Sequence, residues 1–139
     1  MYYTHDQIMD SGKVSLSWDF YLQSDEYLNV AFQYIQDSEP VGIGDFILLW
    51  GNLWGFDGLN LEQVDCEITL TIEQWHQAQI IFDLDINKYS VLVDGAETAC
   101  MNIPATYIPV EQIHGFLAQI YGNNTGDLYL DNMKYSIVP

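Results

Sequence analysis

The sequence predicts an all-β chain folded as a two-sheet antiparallel sandwich. Two observations point there. Apolar and polar residues alternate with period two along most of the chain, the pattern of strands with one buried and one solvated face, while helical periodicity is nearly absent. Turn-forming clusters then divide the alternating runs: Ser24-Asp25-Glu26, Ser38-Glu39-Pro40, Asp57-Gly58, Ile86-Asn87-Lys88, Asp94-Gly95 and Gly122-Asn123-Asn124-Thr125-Gly126. Short strands at such spacing belong to sandwiches and barrels.

The elements follow in order. Residues 1–12 read as an N-terminal extension or a first edge segment. Val14, Leu16, Trp18, Phe20 and Leu22 share one face of the next strand, opposite Ser15, Ser17, Asp19 and Tyr21. Leu28, Val30, Phe32 and Tyr34 repeat the pattern against Asn29, Ala31, Gln33 and Ile35. Ile43 to Asn52 is apolar on both faces near Phe46 to Trp50, as expected of a central strand covered on both sides. Ile68, Leu70 and Ile72 alternate with Glu67, Thr69 and Thr71; Ala78, Ile80, Phe82 and Leu84 follow, then Tyr89, Val91 and Val93. Pro109 to His114 fits a helical turn before the inner face of Phe116, Ala118 and Ile120. In the closing segment the apolar parity switches at Asp131-Asn132, from Leu128 and Leu130 to Met133, Tyr135 and Ile137. Either a β-bulge restores the register there, or half the strand is buried on the opposite side.

With 139 residues, the chain has the size of one domain with a real core. Twenty Asp and Glu face three lysines and no arginine, a net charge of −17. Such a chain lacks the cations that grip phosphate, which excludes sequence-independent nucleic-acid binding and argues against anionic membrane surfaces. Met1 to Lys13 holds no apolar stretch like a signal peptide. The expectation is an extracellular or cell-surface fragment of a longer secreted chain, with a cytoplasmic protein as the alternative. Cys66 shares parity with Ile68 and Leu70 and is expected to point inward. Because cysteine is among the most buried residues, two buried thiols at Cys66 and Cys100 are favoured over a disulfide.

Three passages resemble the concanavalin A-like and laminin-G-like jelly-roll superfamily: Glu73-Gln74-Trp75-His76-Gln77 running into Ala78 to Asp85, Lys88 to Gly95 with its Asp-Gly turn, and Gly126 to Asn132 with its Asp-Asn pair. Their order and separation match from Lys13 onward. The resemblance implies a jelly-roll sandwich in which Trp75 is a packing residue. It also implies one structural calcium ion held by Asp131, backbone carbonyls and an N-terminal residue.

Catalytic patterns do not survive inspection. Asp65, Glu67 and Glu73 come nearest to a glycosidase pair, but Thr69 replaces the third carboxylate. Gln112-Ile113-His114 matches an alginate-lyase triplet, yet no arginine is present to neutralise a uronate and Tyr121 has no lysine companion. Asp83 to Asn87 lacks the glycine and terminal glutamate of a calcium loop. The Asn-X-Thr sequon at Asn123 has meaning only in a glycosylating host.

The expected function is a non-catalytic, lectin-like module whose partner is a neutral glycan. A structural or adhesive domain with a protein partner is the alternative, and a glycan-cleaving enzyme ranks third. Sugars present flat apolar faces rimmed by hydroxyls, so their sites combine exposed aromatic rings with amides and carboxylates. The stretch from Trp50 to Asp57 offers such a set: Trp54 for stacking, Asn52 and Asp57 for hydrogen bonds, with Trp50 and Tyr121 nearby. The outward positions Tyr21, Gln33, Gln79 and Gln119 are candidates to extend it.

Overall fold

The computed structural model describes residues 2–23, 27–106, 110–121 and 128–139. The turns expected at Ser24 to Glu26 and Gly122 to Gly126, and the Asn123 sequon, lie outside them. The described residues form strands and no helix: β1 (Tyr2–Met9), β2 (Lys13–Leu22), β3 (Tyr27–Gln36), β4 (Glu39–Leu49), β5 (Asn52–Asp57), β6 (Glu62–Thr69), β7 (Gln74–Asp83), β8 (Lys88–Val93), β9 (Ala96–Glu97), β10 (Ile103–Pro104), β11 (Ile113–Tyr121) and β12 (Leu128–Val138). A front sheet runs β1-β11-β3-β4-β5-β6, and a back sheet runs β10-β8-β7-β2-β12 with β9 beside β8. All pairings are antiparallel.

Alternation decides which face each strand buries. Val14, Leu16, Trp18, Phe20 and Leu22 of β2 meet Leu28, Val30 and Phe32 of β3 and Phe46 and Leu48 of β4 in one core. Edge-on ring contacts join the sheets: Trp18 to Phe46 at 5.0 Å, Phe20 to Phe46 at 5.7 Å and Phe32 to Phe82 at 5.8 Å between centroids. As expected of a central strand, β4 buries Phe46, Ile47 and Leu48 consecutively.

The parity switch in β12 is a bulge. The β12–β2 register shifts between Asp131 and Lys134, and Asn132 adopts a φ of 52°. Leu130, Met133 and Tyr135 all pack against the core, because the bulge turns both halves the same way.

Four expectations are corrected. Cys66 and Cys100 are bonded, with Cα atoms 4.8 Å apart. Cys66 does point inward, but the Ala99 N–H donates to the Cys66 carbonyl and the Val91 N–H to the Cys100 carbonyl, so the backbone carries the second cysteine against β6. Parity alone carried no such information. Trp75 is 53% exposed, and its neighbour His76 takes the buried place, its Nδ1 2.9 Å from Asp94 Oδ2 and its Nε2 2.8 Å from the Thr71 carbonyl oxygen. Ile72 is exposed, since β6 ends at Thr69 and the chain turns before β7. Ile113 and His114 open β11 rather than closing a helical turn, and Pro109 lies outside the described residues.

Candidate functional site

The β4–β5 hairpin turns on Trp50 and Gly51, with φ of 51° and 75°. Positive φ at both central residues is the type I′ turn, whose twist suits adjoining strands. Trp50 is thereby lifted out of the β4 alternation and stands 67% exposed at the hairpin tip. Along β5, Leu53, Gly55 and Asp57 face inward while Asn52, Trp54 and Phe56 face outward, partly exposed. Gly55 has no room for a side chain: an added Cβ would lie 2.9 Å from Tyr89 Oη and 3.2 Å from Cys100 Sγ. Tyr89 reaches across from the back sheet, accepting the Phe56 N–H at 2.6 Å and lying 3.0 Å and 3.2 Å from the carbonyls of Phe56 and Asp45. Burial pushes its phenol far above the ordinary range, so it stays neutral while holding β4 and β5 in place.

The outer face of the front sheet gathers polar groups around Trp54. Register places Gln119, Asn29, Ile47, Trp54 and Asp65 in one row across β11, β3, β4, β5 and β6. Beside this row β4 carries its own bulge: the register shifts between Val30 and Phe32 of β3, and Gly44 takes a φ of 68°. Bulges re-aim side chains, and this one sets Asp45 in a depression of about 350 Å³ with Asn29, Gly42, Leu117 and Gln119. Burial pushes the Asp45 carboxyl up to about 6, against the opposing pull of a hydrogen bond from the Asn29 side chain. Among the described residues, Asn29 Oδ1 and Gln33 Oε1 are buried without a hydrogen-bond partner. Buried acceptors of this kind are uncommon.

No protein-family model matches the sequence, and no curated protein does. Solved structures match its fold. A sialidase aligns over 91% of this chain with a TM-score of 0.68 and 16% identity, although the chain spans only 13% of that protein. A tetrameric galectin from the ball sponge Cinachyrella aligns over 99% of this chain and 97% of its own, with a TM-score of 0.61 and 14% identity. Sheep galectin-11, solved with glycerol, aligns over 94% and 96%, with a TM-score of 0.58 and 14% identity. The chain has the all-β jelly-roll sandwich fold of these structures. At these identities the likeness establishes the fold alone, and the site has to be argued from this chain's own residues.

On this jelly roll the expected site residues separate. Trp54 and Asn52 share the outer face. Asn52 Oδ1 accepts from Thr69 Oγ1 at 2.9 Å, and its amide nitrogen donates to the Trp50 carbonyl at 3.4 Å, so Asn52 braces the hairpin. Asp57 is a correction: its odd parity turns it away from Trp54. Its Oδ1 accepts the N–H groups of Leu59 and Asn60, and its Oδ2 the Asn60 amide, closing the β5–β6 turn. The Asn60 N–H foremost, with the Asn60 side chain and the Leu59 N–H, holds the Asp57 carboxyl below its usual range despite the opposing effect of burial. Tyr121 pairs with Tyr27, one residue beyond the Leu28–Leu48 and Leu48–Leu53 pairs, at the Asn52 end of the sheet. Its side chain lies outside the described part. Gln33 and Gln119 belong to the front sheet, whereas Tyr21 and Gln79 face outward from the back sheet and do not extend this surface.

The chemistry set aside in the sequence is likewise dispersed. Asp65 faces Trp54, Glu67 sits with a φ of 57° in a bulge of β6, and Glu73 lies in the turn before β7. His114 and Gln112 line a separate depression with Tyr34 and Glu111. Asp83 to Asn87 is the turn after β7, where Asp83 Oδ1 accepts the Asp85 N–H. Asp131 lies opposite Asp19 across the strands. The two carboxylates are a fraction of the roughly six to eight oxygens that calcium takes. No group of three or more His, Cys, Asp or Glu suited to a metal gathers among the described residues. Sequence reasoning missed Asn29 and Asp45. Asn29 was legible as an outward position, and Asp45 was marked only by an acid and a glycine at the head of an apolar run.

Proposed function

We propose that this chain is a non-catalytic module that binds neutral glycans on the outer face of its front sheet. The observation that carries this reading is the cross-sheet row in which Trp54 stands with Asn29, Gln119 and Asp65. Trp54 supplies the apolar stacking surface, and amide and carboxyl groups on both sides meet hydroxyls. The depression at Asp45, lined also by Asn29 and Gln119, adds amide and carboxyl groups for ligand O–H groups. Neutral rather than acidic sugars follow from charge, because the chain's three lysines, Lys13, Lys88 and Lys134, all lie on the back sheet. A uronate or sialic acid would meet carboxylates here with no cation to pair it.

The Cys66–Cys100 disulfide supports a secreted or cell-surface setting, where such bonds persist. Asp131 and Asp19, facing each other, support calcium as a secondary ligand of the back sheet, with carbonyl or water oxygens completing the set. A glycan array spanning neutral and acidic oligosaccharides tests the main reading. Binding confined to neutral chains, and weakened about tenfold or more by Trp54→Ala, is the expected result. Binding that ignores Trp54→Ala would refute the site, and an array with no neutral binder would put the adhesive alternative first.

A further inference from the structure

The outer face of the back sheet carries three aromatic rings in one row. Register sets Tyr129 of β12 opposite Tyr21 of β2, and Tyr21 opposite Trp75 of β7. The Tyr21 ring lies 5.6 Å from Trp75 and 6.1 Å from Tyr129, inclined at 58° and 63° to them. Trp75 is 53% and Tyr129 50% exposed, so two large rings flank a third at the surface of a protein with a well-filled core.

The next outward row along the same strands is acidic. Asp131, Asp19 and Gln77 occupy it, two residues or about 6.8 Å from the aromatic row. Like charges opposite each other on paired strands are unfavourable. Among the described residues Asn132 relieves this pair in part, its amide donating to Asp19 Oδ2 at 2.6 Å and its backbone N–H to Asp131 Oδ1 at 2.8 Å. Beside Gln77 stands Asp94, bonded to His76 and to the Gln77 N–H. Lys134 is opposite Ser17, on the far side of the aspartates from the rings.

We propose that this face is a second binding surface, for glycan chains that carry protonated amines. Aromatic rings attract both the apolar face of a sugar and an adjacent cation. A single 2-amino sugar spans the gap between the rows, its ring over Trp75 and Tyr21 and its ammonium toward Asp19 and Asp131. Charge complementarity selects this occupant. A neutral chain stacks on the rings but leaves the aspartate pair unneutralised. An anionic chain is repelled, and the core of a protein interface is depleted in charge. The proposal concerns the opposite sheet from Trp54 and does not rest on the neutral-glycan reading.

The test is calorimetric titration of the full chain with a glucosamine hexamer and with its N-acetylated counterpart. It is run at about pH 6, where a primary amine is protonated, in ~150 mM salt with a chelator so that calcium does not compete for the aspartates. The amine-bearing hexamer is expected to bind about tenfold or more tightly than the acetylated one. Both hexamers are titrated against Trp54→Ala as background, so that the front face does not contribute. There Trp75→Ala and the Asp19→Asn/Asp131→Asn pair should each weaken binding of the amine-bearing hexamer by a similar factor, while the remote Glu62→Gln leaves it unchanged. Tyr129→Ala replaces Trp75→Ala should that variant melt below wild type. Absence of binding, equal affinity for the two hexamers, or equal weakening by Glu62→Gln would each overturn the proposal, the last by showing generic attraction to an acidic protein.

Discussion

The two outer faces of the sandwich grow from the same alternating pattern and end as different surfaces. On the back sheet β2, β7 and β8 form a regular ladder beside the bulged strand β12, and Trp75 and Tyr129 are about half exposed. On the front sheet, Gly44 and Asp45 bulge out of β4, and Gly42 gives way to Leu117, whose Cδ2 would lie 2.9 Å from a Cβ there. Polar groups on that sheet consequently sink: Gln33 is only 4% exposed and Asp45 is lowered into a depression. Period two decides which side a residue faces. Where a bulge falls, and whether small residues such as Gly42 and Gly44 lie beside it, decides whether that side becomes a plateau or a recess.

The largest effect should appear where the front sheet's outer edge is tied to the rest of the sandwich. The Cys66–Cys100 disulfide joins edge strand β6 to the segment between β9 and β10. For a 34-residue separation, chain-entropy reasoning puts its removal at roughly 4 kcal/mol. Cys66→Ser with Cys100→Ser, measured by chemical denaturation, should show a loss of that order. A loss near zero would mean that β6 needs no tether and that the recess is held by strand pairing alone.

Asp45 sharpens the contrast between recess and plateau. Its carboxyl stands at about 6 in the folded chain against 3.8 as the ordinary value, so the folded state holds the proton more tightly than the unfolded state. Ionised Asp45 therefore lowers stability above pH 6, and that stability returns as pH falls from 6 toward 4. The difference is at most about 3 kcal/mol. Asp45→Asn should raise the neutral-pH melting point and flatten the wild type's gain over that window, whereas Asp131→Asn on the exposed plateau should stay within about 0.5 kcal/mol. Equal effects of the two substitutions would erase the distinction between the faces.

How far the sequence revealed these surfaces follows the same division. The β12 bulge was legible because apolar parity switches at Asp131-Asn132, and the inner faces of β2, β3 and β7 were legible from plain alternation. The β4 bulge was not. Phe46, Ile47 and Leu48 are all apolar, so no parity remained to register an inserted residue, and Asp45 escaped notice. Trp54 and Asn52 were found by composition, whereas Asp57 was grouped with them because nearness in sequence ignored the turn it caps. The family resemblance points Trp75 into the core, while the local strand gives that place to His76.

A smaller effect concerns calcium at Asp131. A ligand that binds only the folded state raises stability with concentration. Millimolar calcium should raise the wild-type melting point by a few degrees at most, and Asp131→Asn should abolish the rise. An unchanged wild-type midpoint would remove calcium from the account and leave the aspartate pair to other cations.

The central claim, that neutral glycan binds the recessed front face through Trp54, is tested most directly by the four indole N–H resonances in a proton–nitrogen correlation spectrum. The four tryptophans report separate places: Trp18 in the core, Trp50 at the hairpin tip, Trp54 on the front face and Trp75 on the back. On titration with a neutral oligosaccharide that binds on the array, the Trp54 resonance should move with saturation, while Trp18 and Trp75 hold still. Saturable movement of Trp75 with Trp54 unmoved would contradict the account and place the neutral-glycan site on the other sheet.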